Sequence, residues 1–228
     1  MKQYLKLVYL GVFLALVSSI STGIMGYVAS ATRKARENAV EAKMTEGLRL
    51  VLPPFDNDLL ATAKSCEENG GTKAQLYVAR KSGKIVGVAV KTSTMQGYGG
   101  KIEGIVSFSP EGKVCSFVIT SHQETPGLGA PLTERKDAKT LKGLITGKKK
   151  ERKPFPLHLP ANKLLDQFSG KKAQKRLWKL KSEGGEIDGI SGATITSLAI
   201  TDLASRASAV FVKNQKAIFG TSMKGSGK

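Results

Sequence analysis

Two stretches hold most of the residues able to do chemistry. "DGISGATITS" (188–197) places one carboxylate, Asp188, two glycines and four hydroxyls, Ser191, Thr194, Thr196 and Ser197, directly ahead of an apolar helical pattern. A helix start offers unpaired backbone N–H groups and a partial positive charge, and glycines let a phosphate approach the backbone. A threonine hydroxyl there can lie beside a phosphate or be esterified by one. The same residues equally fit a capped helix start, with Ser191, Thr194 or Thr196 as N-cap and Gly192 as an adaptable loop residue. In the second stretch, "ETPGLGAPL" from Glu124, Pro126-Gly127 is the favoured central pair of a type II turn. Gly129 adds a second permissive residue, so the backbone can present N–H groups without side-chain cover. A third, glycine-rich stretch, "QGYGG", precedes both.

Other chemistries lack their residues. His122 and His158 are the only histidines and lie far apart, which argues against a Ser-His-Asp system or a paired-histidine metal site. Cys66 and Cys115 have no CxxC spacing. Cys115 alternates with Phe117 and Ile119 and reads as a core residue, a pairing with Cys66 remaining open only for an extracytoplasmic domain. Carboxylates are scattered among lysines rather than paired in apolar surroundings. The C-terminal "GTSMKGSGK" lacks P-loop spacing and reads as a tail. Neither a catalytic acid–base residue nor a metal site is predicted.

The elements that must position these stretches follow from periodicity. A chain of 228 residues, 40% hydrophobic, allows one ordinary domain plus an appendage. Residues 7–32 carry no charge and as a helix cover roughly 39 Å, more than a bilayer's hydrocarbon core. Ala29-Ser30-Ala31 mimics a signal-peptidase site, but the apolar run is too long for a signal peptide, so an uncleaved anchor is expected. Residues 33–51 have helical spacing and stop at Pro53-Pro54. "AQLYVARK", "IVGVAVKT", "KIEGIVSFS" and "VCSFVIT" then predict four strands with tight turns and an antiparallel sheet. Residues 131–182 form a basic helix-and-loop stretch, and 195–215 read as a helix with Leu198, Leu203, Ala207 and Val210 on one stripe.

A net charge of +18 admits nucleic acid, an anionic membrane surface or acidic partner subunits. No stacking aromatics interleave the lysines and no nucleic-acid motif is present, so nucleic acid is not expected as a partner. The bursts Lys148–Lys153 and Lys171–Lys181 read as solvated faces. Lys2 and Lys6 on one side of the apolar run nearly balance Arg33, Lys34 and Arg36 on the other, a slight bias toward a cytoplasmic C-terminal domain.

Asp188 to Thr194, "DGISGAT", resembles the D-G-x-S/T-G-A-T motif of flavoproteins whose FMN is joined by a phosphoester to the final threonine. A dedicated flavin transferase, using FAD and magnesium, makes that bond. The block from Gly97 to Gly129, with its GYGG and ETPGLG, resembles the FMN-binding domain of the G subunit of the Rnf electron-transport complex, shared with the C subunit of the sodium-translocating NADH:quinone reductase. With the N-terminal anchor the resemblance covers residues 5 to about 213, and the short chain favours the Rnf protein.

The resemblance implies an α+β protein. A transmembrane signal anchor (1–32) and a helical stalk (33–54) lead to one FMN-binding domain (55–215), a twisted antiparallel sheet with flanking helices, and a flexible tail (216–228). It implies an electron-transfer subunit of an ion-translocating ferredoxin:NAD oxidoreductase, single-pass in the inner membrane, its flavin domain on the extracytoplasmic side against the local charge bias. Its partners would be the other subunits of the complex, the flavin transferase and the lipid bilayer. Thr194 would carry the FMN phosphate, while Asp188, Gly189, Ser191, Gly192 and Ala193 form the transferase recognition loop and phosphate seat, with Thr196 as an added donor or a cap. Glu124, Thr125, Pro126, Gly127, Leu128 and Gly129 would line the isoalloxazine ring, with Tyr98 either beside it or in ordinary packing. The alternatives are the homologous quinone-reductase protein and a basic, membrane-anchored binding module without flavin.

Overall fold

The computed structural model describes residues 2–67, 73–135, 159–174 and 177–220. His158, the burst from Lys148 to Lys153, Lys175, Arg176 and nearly all of "GTSMKGSGK" lie outside the described residues. The chain divides into two units, Met1–Met44 and Thr45–Lys228.

The first unit is the greater part of helix α1 (Lys2–Val51), which no proline interrupts. Within it Lys6–Arg33, 28 residues with a mean hydropathy of 2.0, has nothing of its most apolar window buried inside the protein. At 1.5 Å per residue this segment spans about 42 Å, enough to cross a bilayer. α1 runs unbroken through the range expected for anchor and stalk. It ends where Leu52 N–H bonds to the Leu48 carbonyl, ahead of Pro53-Pro54.

The second unit is built on a five-stranded antiparallel meander, β1 (Lys64–Glu67), β2 (Lys73–Lys81), β3 (Lys84–Gly97), β4 (Gly100–Phe108) and β5 (Val114–Ser121), in that spatial order. The four strands predicted from sequence are β2 to β5. β1 was not foreseen because "KSCE" has no apolar alternation, and its pairing with β2 defines it. The β2–β3 hairpin turns on Ser82 (φ 50°) and Gly83 (φ 78°), the two left-handed residues of a tight hairpin turn. Asp56 holds Ser82 in place by accepting its N–H at 2.7 Å.

The long helix α3 (Thr194–Gly220) lies on β3 and β4. It follows a single helical turn, α2 (Ala130–Thr133). Small buried residues on α3, Ala199, Ala204 and Ala207, bring its backbone close to the sheet. Phe108 of β4 stacks on Phe211 at 4.5 Å. α3 matches a membrane span in length and composition, but two thirds of its most apolar window is buried, so it is the core helix of the domain. Successive strand residues face opposite sides. While Val88 and Val106 pack toward α3, Gly87 meets Leu52 and Pro53, and Gly47 meets Ile105, covering the reverse face.

One edge of α3 is a ladder of hydroxyls at helical spacing. Ser197, Thr201 and Ser205 each donate to the carbonyl four residues back. Ser197 also accepts Ile190 N–H, Ser205 accepts Trp178 N–H, and Ser208 accepts Gln174 N–H, which clips the incoming chain to the helix. At the far edge, β5 is covered by hydrogen bonds to Gly170 and Lys171 and by Arg135, whose Nε donates to the Phe117 carbonyl.

Cys115 departs from its expected place. Ser107 pairs with Ser116 but Phe108 with Val114, so Cys115 is the extra residue of a β-bulge. The bulge leaves it half-buried and outside the core that Phe117 joins. Cys66 lies on β1 and Cys115 on β5, at opposite edges of the sheet and roughly 19 Å apart at the usual strand spacing. Both are free thiols, and the fold cannot join them to each other.

Candidate functional site

The three glycine- and hydroxyl-rich stretches meet at one cavity of about 290 Å³. The β3–β4 turn supplies Tyr98, the loop after β5 supplies Glu124, Thr125, Leu128 and Gly129, and the start of α3 supplies Gly192, Ala193, Thr194, Ile195 and Thr196.

Each wall has a local cause. Leu128 N–H bonds to the Thr125 carbonyl, with Gly127 at φ 84°, the type II turn that Pro126-Gly127 predicts. Ala193 N–H bonds to the Ile190 carbonyl, with Gly192 at φ 82°, a second type II turn delivering the chain into α3. Ser197 N–H is bonded to the Ala193 carbonyl. The amides of Thr194, Ile195 and Thr196, in the first turn, therefore have no intrahelical acceptor and stand at the cavity with the positive end of the helix dipole. A Cβ on Gly192 would meet open space, so the backbone there is bare on its cavity side.

The hydroxyls differ. Thr194 is exposed, and its hydroxyl has no hydrogen-bond partner among the described residues. Thr196 is buried and donates to Glu124 Oε2 at 2.6 Å, so it caps nothing. Ser197 acts as a staple from inside the helix, holding Ile190 N–H and the Ala193 carbonyl. Ser191 is exposed beside them. Tyr98 is 69% exposed, which removes the packing alternative, and Leu128 and Ile195 are more than half and half exposed around the same cavity.

Asp188, Gly189 and Ser191 lie outside the cavity lining, as do Pro126 and Gly127. Asp188 is held from without. Gln167 accepts its N–H at 2.7 Å and donates to its carbonyl at 3.0 Å, while Lys181 sits on its carboxylate at 2.8 Å. Sequence reasoning did not find Ile195, whose signal was an apolar residue off the buried stripe of α3. Gln167 and Lys181 had no signal, since both act through backbone or exposed contacts with a loop formed elsewhere in the chain.

The lining suits an elongated ligand with a phosphate at one end and a flat apolar ring at the other. Free helix amides, a bare glycine and an unengaged hydroxyl occupy one part, and Tyr98 and Leu128 another. FMN has that chemistry. Residues 97–209 match the family described as the FMN-binding domain, a range that takes in GYGG, ETPGLGAPL and DGISGATITS. Over most of its length the chain is also similar to proteins named as the G subunit of an ion-translocating oxidoreductase complex. That of Shewanella baltica is 30% identical over 92% of this chain and 91% of the relative. That of Cronobacter sakazakii is 30% identical over 86% of each, and that of Photorhabdus laumondii 29% over 86% of each. The chain belongs to this G-subunit family.

Proposed function

We propose that this chain is the FMN-carrying electron-transfer subunit of a membrane-bound ion-translocating oxidoreductase complex of the Rnf type, passing electrons between ferredoxin and NAD. In this reading FMN is joined through its phosphate to Thr194. The observation that carries it is the convergence of GYGG, ETPGLG and SGAT on one cavity, with Thr194 the exposed, unengaged threonine at its helix end. The names of the relatives support the complex, and the apolar Lys6–Arg33 helix supports anchorage in the inner membrane.

Thr194 would bear the phosphoester, and the amides of Ile195 and Thr196 together with bare Gly192 would receive the phosphate oxygens. Tyr98, Leu128 and Ile195 offer the apolar surface for the ring. Bound FMN supplies one- and two-electron transfer, with a potential set by surrounding hydrogen bonds, dielectric and stacking. Attachment through phosphate leaves the ring unsubstituted, and no acid–base side chain is required, in keeping with the scarcity of histidine. The loop Asp188–Ala193, braced by Gln167 and Lys181, is the surface presented to the flavin transferase. The flavin domain lies on the extracytoplasmic side, the lipid bilayer holds the Lys6–Arg33 part of α1, and the remaining subunits of the complex are its redox partners.

The test is co-expression of the full chain with a flavin transferase, followed by denaturing electrophoresis. A band that stays yellow-fluorescent supports the reading, and flavin released by denaturation contradicts it.

A further inference from the structure

Glu124 is the buried carboxylate of the site, 6% exposed, and both its oxygens are engaged within the protein. Oε2 accepts the Thr196 hydroxyl at 2.6 Å and Oε1 the Gly99 amide at 3.2 Å. Its own N–H donates to His122 Nδ1 at 3.3 Å. The glycines around it leave no room for a side chain. A Cβ on Gly97 would collide first with the Gly100 carbonyl and then with Oε1 at 2.5 Å, and one on Gly129 would stand 2.5 Å from Oε2 and 2.7 Å from the Thr196 hydroxyl oxygen. One on Gly99 would collide with the carbonyl of Gln123, the residue before.

We propose that Glu124 is the positioning residue of the site, locking the Gly97–Gly100 turn, the Thr125–Gly129 turn and the first turn of α3 into one register through Gly99 and Thr196. Tyr98 sits between the two glycines that Glu124 seats or touches, and Thr194 lies two residues from Thr196 on the same helix start. The carboxylate therefore fixes the ring side of the cavity relative to the attachment side while both of its oxygens are spent on the protein. A buried acceptor stripped of its donor retains its desolvation cost, so the lock weakens when either partner is removed. The proposal rests on reading the cavity as the FMN seat.

The experiment uses the full-length chain in detergent, carrying flavin, with Glu124→Ala, Thr196→Val, Thr196→Ser and the Glu124→Ala/Thr196→Val pair. Two readouts are taken: the visible circular dichroism and fluorescence anisotropy of the attached flavin, and the unfolding equilibrium of flavin-free protein. Thr196→Ser keeps the hydroxyl and is expected to match the parent in both. Glu124→Ala and Thr196→Val are each expected to retain the covalent band but lose most of the induced dichroism. Each raises the unfolding equilibrium constant about tenfold, and the double variant no further than the worse single. A residue that only stabilised the fold would leave the dichroism of the folded protein unchanged. That result, or fully additive unfolding effects, overturns the proposal. If the parent never carries covalent flavin, the functional reading fails instead, and the unfolding cycle alone decides whether Glu124 locks the three segments.

Discussion

Thr194 and Thr196 stand two residues apart at the start of α3 and live in opposite surroundings. At about 100° per residue the intervening rotation turns them to nearly opposite sides of the helix. Thr196 is 2% exposed and bonded to Glu124, and further along the helix Ser197, Thr201, Ser205 and Ser208 are likewise buried and engaged. Thr194 is exposed at the cavity, without a partner among the described residues. One helix thus holds the same chemical group in two environments. Buried hydroxyls bind neighbouring chain, because a polar atom removed from water costs free energy unless paired. The unburied one is left available for chemistry.

Substitution on the exposed and on the buried side should separate the two environments most sharply. Thr194→Val is expected to abolish the covalent flavin completely while leaving stability within about 0.5 kcal/mol of the parent, as for an exposed site without contacts. Gel fluorescence and a denaturant melt measure the two halves, and a large loss of stability would erase the contrast. Gly129→Ala strikes the other side, pressing a methyl group between Glu124 and Thr196, and should destabilise the domain by about 1–3 kcal/mol.

Farther along α3, Ser205→Ala strands Trp178 N–H and is expected to cost about 1–2 kcal/mol, with flavin attachment intact. Weaker attachment in this variant would mean that the ladder also serves the site. The smallest effect concerns the thiols. Burial pushes Cys66 up despite Lys213 and Lys64, and burial aided by Glu111 pushes Cys115 up. A raised thiol contributes stability below its unfolded pKa and loses it as pH rises through the folded value. Denaturant midpoints should therefore fall on the alkaline side of the thiol range, and Cys66→Ala/Cys115→Ala should flatten that fall.

The turns beside the candidate cavity were legible before any fold, since the glycines in ETPGLG and SGAT report local backbone demands such as the left-handed Gly127 and Gly192. Strands β2 to β5 were legible for the same reason, through alternation and turn residues. What local pattern cannot carry is a pairing across the chain. Glu124 and Thr196 lie 72 residues apart, and nothing in either neighbourhood announces the other. β1 exists through its partner strand, and the bulge at Cys115 is a register shift that reverses the facing its alternation implies. Gly129 was read as permissive backbone, whereas its contacts show a residue kept small by the Glu124 and Thr196 side chains.

The mass of the proteolytic peptide containing Thr194, taken from full-length protein matured with its flavin transferase, tests the covalent attachment without an intermediary. The expected increment equals FMN less one water, with fragment ions placing it on Thr194. An unmodified peptide accompanied by free flavin, or an increment placed on Ser191 or Thr196, would contradict it.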